Sequence, residues 1–184
     1  MRLVPIFLLV LLAVTGAFAQ NQPDEKDVEA FFAAVQTGGK STVAAELGRN
    51  PSLATAKDKY GFRAVHLLDY TDFEEILSLL LDHGAEINVQ NHEGIGLLHI
   101  LADAEFLPIV LGKGGNLELR DKQGRTPVMV HLLEPEGLQM VEAMLHAGAN
   151  PNAKDTSGKS VMSYAVLRND LTSVELVREA GGLE

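Results

Sequence analysis

Four glycines constrain what this chain can fold into more than any other feature. Gly61, Gly94, Gly124 and Gly158 are spaced 33, 30 and 34 residues apart, and each stands three residues after Asp58, Asn91, Asp121 or Asp155. Short apolar runs follow each of them, and each module closes on a small pair: Gly84-Ala85, Gly114-Gly115, Gly148-Ala149 and Gly181-Gly182. A period near 33 carrying a turn and two short apolar segments is the mark of a solenoid of helix pairs. One pair cannot bury both its faces, whereas stacked neighbours share a continuous core. The clearest copy is Asp58–Gln90, where Phe73, Ile76, Leu77, Leu80 and Leu81 fall on one stripe at helical spacing and Gly84 supplies a left-handed stop.

The sequence divides into a leader and five units. Met1-Arg2, the apolar run Leu3–Val14 and Ala17-Phe18-Ala19 are read as a secretory signal over 1–19. The apolar run is short of the roughly 20 residues of a membrane span, so no membrane contact is expected after cleavage. Residues 20–26 read as a disordered leader. The units follow at 27–57, 58–90, 91–120, 121–154 and 155–184, the first and last acting as caps. In the first, Asp27–Gln36 and Ser41–Leu47 read as helices, with Asp27 as N-cap or first-turn acid. The unit at Gly94 is short, so its second helix, around Phe106–Leu111, is expected to be short, with Pro108 in the first turn.

These residues resemble the ankyrin repeat family. The resemblance is carried by Gly124-Arg125-Thr126-Pro127-Val128, by Gly84-Ala85-Glu86-Ile87-Asn88 and Gly148-Ala149-Asn150-Pro151-Asn152, and by His66 and His99. The Thr-Pro pair survives only in the Gly124 unit; Arg63-Ala64, Gly96-Leu97 and Ser160-Val161 replace it elsewhere. The resemblance implies an all-α ankyrin repeat solenoid of five helix–turn–helix units with short β-turn fingers. It implies that His66 and His99 bond turn backbone within or between units. It also implies a bacterial exported ankyrin protein that binds a protein partner.

Composition narrows the partner. A net charge of −10 disfavours nucleic acid and suits a basic partner protein, and loss of Arg2 with the leader makes the mature chain more negative still. The chain has no Cys, so an exported form relies on its core without disulfides. No His pair has zinc-hydrolase spacing; no cofactor, metal or catalytic residue is assigned. His83 and His146 precede terminal Gly-Ala pairs and suit the negative end of a helix dipole. Gly38-Gly39-Lys40-Ser41 and Ser157-Gly158-Lys159-Ser160 approach a phosphate-loop ending, but Ala34 and Ala153 stand where the first glycine belongs and no buried strand precedes either.

The sharper signal is aromatic. Tyr60, Phe62 and Tyr70 all belong to one unit. The ankyrin pattern implies that Tyr60 and Phe62 lie on the finger and Tyr70 at the end of the first helix, on the concave side. Lys59, His92, Glu93, Asp103, Lys122, Gln123 and Arg125 would form a polar rim around them. The leading reading is a periplasmic or secreted, non-enzymatic binding module, monomeric when free. It leans toward an inhibitor or immunity partner of a basic cell-envelope enzyme. A stress-related or structural ankyrin protein, and an enzyme with an unrecognised site, stand as alternatives.

Overall fold

The computed structural model describes residues 23–183, so the expected secretory segment and the first residues of the leader lie outside the described residues. Two helices open the stack, α1 (Glu25–Gln36) and α2 (Lys40–Arg49). Asp24 is the N-cap of α1, its carboxylate accepting from the amide of Asp27 at 2.8 Å. This corrects the expected start: Glu25 and Lys26 belong to the helix rather than to a leader, and Asp27 is a first-turn acid. α1 buries Val28, Phe31, Phe32 and Val35, and α2 buries Val43 and Leu47, on their shared side.

In the second unit the outer helix is α3 (Phe73–Asp82). Phe73, Ile76, Leu77 and Leu80 are buried, and Leu81 is half-buried. Gly84 ends α3 at φ +90°, and the amide of Ala85 returns to the Leu80 carbonyl at 3.0 Å. The inner helix of this unit is only a 3₁₀ turn, Ala64–His66. Asp69 explains the truncation: its carboxylate accepts from the amide of Thr71 at 2.7 Å, a local bond that competes with helix continuation. The third unit holds α4 (Leu97–Ile100) and, after a 3₁₀ turn at Ala104–Phe106, α5 (Leu107–Gly112), six residues long with Pro108 in its first turn. α6 (Pro127–His131) and α7 (Leu138–His146) form the fourth unit, and α8 (Val161–Arg168) and α9 (Leu171–Glu179) the fifth. The inner helices of the three central units are thus much shorter than those at either end. Among the described residues strand structure is limited to one isolated bridge, Lys154 with Ser160.

Polar side chains bind neighbouring units together. The amides of Arg63 and Gly96 each donate to Nδ1 of the histidine three residues on, His66 and His99, at 3.1 Å. That fixes the proton on Nε2, which donates across the junction to Ile95 O at 3.1 Å and Arg125 O at 3.3 Å respectively. His131 reaches back to Leu98 O at 2.9 Å. Asn88 bonds Gly114 O and the Asn116 amide, and Asn152 repeats the device with Gly181 O and the Leu183 amide. Burial holds all three imidazoles below the usual histidine pKa of 6.5.

The sign of the resulting pH dependence follows. Below pH 6.5 the unfolded chain binds protons that the folded chain refuses, so this stability is complete above 6.5 and is lost as pH falls through the folded values. The chemical-denaturation midpoint is therefore expected to drop between pH 7.5 and 5, before ordinary carboxylates titrate. A midpoint flat across that interval would show that the three imidazoles do not govern it.

Candidate functional site: the finger ribbon

Each turn is built by one side chain. The carboxylate of Asp58 accepts from the amides of Tyr60 and Phe62 at 2.8 and 2.9 Å. Asn91 does the same for Glu93 and Ile95, Asp121 for Gln123 and Arg125, and Asp155 for Ser157 and Lys159. Such a bond is worth about 0.5–1.5 kcal/mol, and more where the acceptor is charged. The fingers are then joined edge to edge. His92 N donates to Tyr60 O at 2.9 Å, Lys122 N to Glu93 O at 3.0 Å, and Thr156 N to Gln123 O at 2.9 Å. Gln90 bonds Gly94 O and Arg120 O, and Arg120 bonds Gly124 O and Lys154 O, clamping the same rows from below. The neighbours pass so close that a Cβ on Gly61 would sit 2.6 Å from His92 Cδ2, and one on Gly94 2.8 Å from Asp121 Cα. With φ at +84° and +79°, these two positions require glycine on both counts.

The ribbon presents a row of side chains on a fixed backbone. Tyr60 is 59% exposed, with the Lys59 ammonium 5.1 Å from its ring centroid. His92 and Glu93 follow, Lys122 pairs with Glu93 at 3.3 Å, and Gln123 comes next. An exposed pair of this kind contributes under about 1 kcal/mol to stability, so its charges are available to a partner.

The expectation of a single aromatic patch is corrected. Phe62 is half-buried and meets His66 edge-on, ring centroids 5.5 Å apart. Tyr70 is 43% exposed but lies in the loop between inner and outer helices, stacked on Phe106 at 5.0 Å, its hydroxyl accepting from the Ala102 amide at 3.1 Å. Phe73 completes that cluster, 4.6 Å from Phe106. Arg125 is turned inward: its Nε donates to the buried Asp121 carboxylate at 2.7 Å. Asp103 caps the 3₁₀ turn by accepting from Glu105 N, away from the fingers. The ribbon therefore keeps Lys59, Tyr60, His92, Glu93, Lys122 and Gln123 together.

Sequence reasoning missed the lock on the finger of the fifth unit. The Tyr164 hydroxyl donates to Asp155 Oδ2 at 2.7 Å, which pulls the Asp155 carboxyl down to about 2, while burial pushes Tyr164 up to about 12. Tyr164 sits on a helix among apolar residues, so its partner on the finger is invisible without the fold. The two phosphate-loop lookalikes are the α1–α2 turn and this finger. Among the described residues no group of three or more His, Asp or Glu is placed to hold a metal ion, and no helix is long and apolar enough to cross a membrane.

No family model matches the chain. Curated relatives do. The B-cell lymphoma 3 protein homolog of Mus musculus is 32% identical over 134 residues, covering 68% of this chain and 30% of that protein. The Homo sapiens neurogenic locus notch homolog protein 2 is 28% identical over 178 residues, covering 94% of this chain and 7% of its own length. Both are ankyrin-repeat proteins. The fold is the ankyrin-repeat solenoid. An Arabidopsis thaliana E3 ubiquitin-protein ligase, KEG, is 28% identical over 136 residues, and the match is to its ankyrin region. This chain spans less than a third of the length of each of these relatives. The likeness is therefore to their ankyrin segments, which are protein-interaction modules. It supports the ankyrin repeat family for this chain, and the finger ribbon is where the exposed Tyr60, His92, Glu93, Lys122 and Gln123 stand on one backbone ladder.

Proposed function

We propose that this protein is an exported, non-enzymatic ankyrin module that binds a partner protein through its finger ribbon, centred on Tyr60. The observation that carries the reading is the rigidity of that ribbon. Every finger is held by an Asp or Asn side chain and laddered to the next, so Tyr60, His92, Glu93, Lys122 and Gln123 are presented with little ordering cost on binding. Tyrosine with a cation beside it is a common interface anchor. The apolar segment before Gln20 supports export to a periplasmic or extracellular space, and the acidic charge suits a basic, envelope-associated partner held in an inhibitory or immunity complex.

The test places a photo-crosslinking amino acid at position 60 or 92 of the full-length protein expressed in its own cell, with Lys113, at the end of α5, as the control position. Adducts to one partner are expected at 60 and 92 and not at 113, on a protein whose recovered N-terminus is Gln20. Equal labelling at all three positions, or none at 60, would remove the finger ribbon from recognition. An intact Met1 on the crosslinked form would remove export by cleavage.

A further inference from the structure

The opposite edge of the solenoid, where inner helices turn into outer ones, carries features that the finger reading leaves unused. Its segments adjoin at each junction. Gly38 of the first unit lies under Thr71 and Asp69 of the second, where an added Cβ would come within 2.7 Å of Thr71 Cβ. Tyr70 stacks on Phe106 of the third unit. Ala102, Asp103, Ala104 and Glu105 share an open hollow of about 670 Å³ with Gln139 of the fourth. Arg168 of the fifth donates to the carbonyls of Leu132, Glu134 and Pro135 in the fourth, beside a cleft of about 350 Å³ lined by Leu133, Leu167 and Asp170.

Two chemistries alternate along this edge. Large apolar groups stand in solvent: Tyr70, then Leu133 at 46% exposure, Leu167 at 58% and Leu171 at 80%. Exposure of this kind, gathered on one edge, marks an interaction surface. Carboxylates fall between them, with Asp69 and Asp72 in the second unit, Asp103 and Glu105 in the third, and Glu134 and Glu136 in the fourth. The edge's cations do not offset these. Lys40 already faces Glu75 at 3.7 Å, and Arg168 is taken up by the loop carbonyls and by Asp170 at 2.7 Å. The field here is negative while the contact groups are apolar.

We propose that this edge is a docking surface for an extended, basic, apolar-bearing segment of a partner protein. Neighbouring units stack about 10 Å apart, so the second to the fifth span roughly 30 Å. An extended chain rising about 3.3 Å per residue covers that with about nine residues. Alternate side chains of such a strand point to opposite sides, and a segment mixing Leu-like and Lys-like residues places the first in the clefts and the second against the carboxylates. This surface is distinct from the finger ribbon and stands or falls independently of it.

The probe is a fluorescein-labelled synthetic nonapeptide of leucines and lysines, titrated against the intact mature chain by anisotropy. Control peptides carry Glu for every Lys, or Ser for every Leu. The Leu/Lys peptide is expected to bind and to protect amides at 69–72, 101–106, 132–136 and 167–171 from hydrogen exchange. The Leu133→Ser/Leu167→Ser variant is expected to bind at least about tenfold more weakly. So is a second variant, Asp103→Asn/Glu105→Gln/Glu134→Gln/Glu136→Gln, which preserves shape and the Asp103 cap if the apolar variant fails to fold. Tyr60→Ala is expected to bind within about twofold of the parent. The proposal is overturned if the Leu/Lys peptide does not bind, if either control peptide binds as well, or if Tyr60→Ala abolishes binding while the edge variants do not.

Discussion

Gly137→Ala is expected to destabilise the protein by roughly 3–5 kcal/mol, among the largest effects available to a single methyl group. Gly137 lies between α6 and α7 with its α carbon against the backbone of the preceding turn. A Cβ there would stand 2.0 Å from the His131 carbonyl oxygen and 2.8 Å from the carbonyl carbon. Neither atom is the end of a flexible side chain, so relief requires moving α6. That in turn pulls on the His131 bond to Leu98 O, which ties the fourth unit to the third. Gly112→Ala is the matched control. It lies at the end of α5 with nothing within 4 Å of the added carbon, and the same chemical change there should stabilise by up to about 1 kcal/mol. Urea titration of both variants checks the pair. If the two shift the midpoint alike, close approach at Gly137 is not what selects glycine.

The second large effect is expected at His99. Truncation to Ala deletes a fully buried side chain and leaves the Gly96 amide without its acceptor, while Arg125 O loses its cross-unit donor and keeps only the Asp121 amide at 3.0 Å. The orphaned Gly96 amide costs about 1–3 kcal/mol, and the space vacated by the imidazole adds to it, so a loss of roughly 3–4 kcal/mol follows. His83 sits close by in sequence and makes a single Nδ1 contact with Leu79 O at the end of α3 while half-exposed. Its replacement by Ala should cost under about 1 kcal/mol. A near-equal cost for the two would mean that the cross-unit bond of His99 contributes little. The His99 variant should also lose part of the pH dependence between 7.5 and 5, since one of the three neutral imidazoles is gone.

The frame was readable because its signals are local. A turn that needs a left-handed residue at Gly61, Gly94, Gly124 and Gly158, with an Asp or Asn three residues before to accept two amides, leaves a mark within five residues of sequence. The histidine junctions were readable only through resemblance, because their carbonyl partners lie a whole unit away. Helix lengths were harder. The run from Ala64 to Leu68 looks helical, and only the competing bond from Asp69 to the Thr71 amide stops it after one 3₁₀ turn. The site divided along the same line. Tyr60 and its neighbours on the fingers follow from turn position, whereas Tyr70 turns on contact with Phe106 in the next unit. Leu133, Leu167 and Leu171 read as ordinary members of apolar runs; that they emerge into solvent depends on where the inner helices end.

The short inner helices of the central units have a kinetic consequence. Starting a helix costs more than extending it, and segments of three to five residues cannot recover that cost alone. The flanks differ: α1 and α2 run 12 and 10 residues, α8 and α9 eight and nine. Folding therefore has two natural starting points and a middle that orders by templating on whichever neighbour forms first. The last contacts to close, and the first to open when the chain is pulled or heated, lie in the unit around α4 and α5. A partner spanning the fingers from Tyr60 to Gln123 bridges that seam, so its binding energy would act as a mechanical splint on the weakest link of the stack.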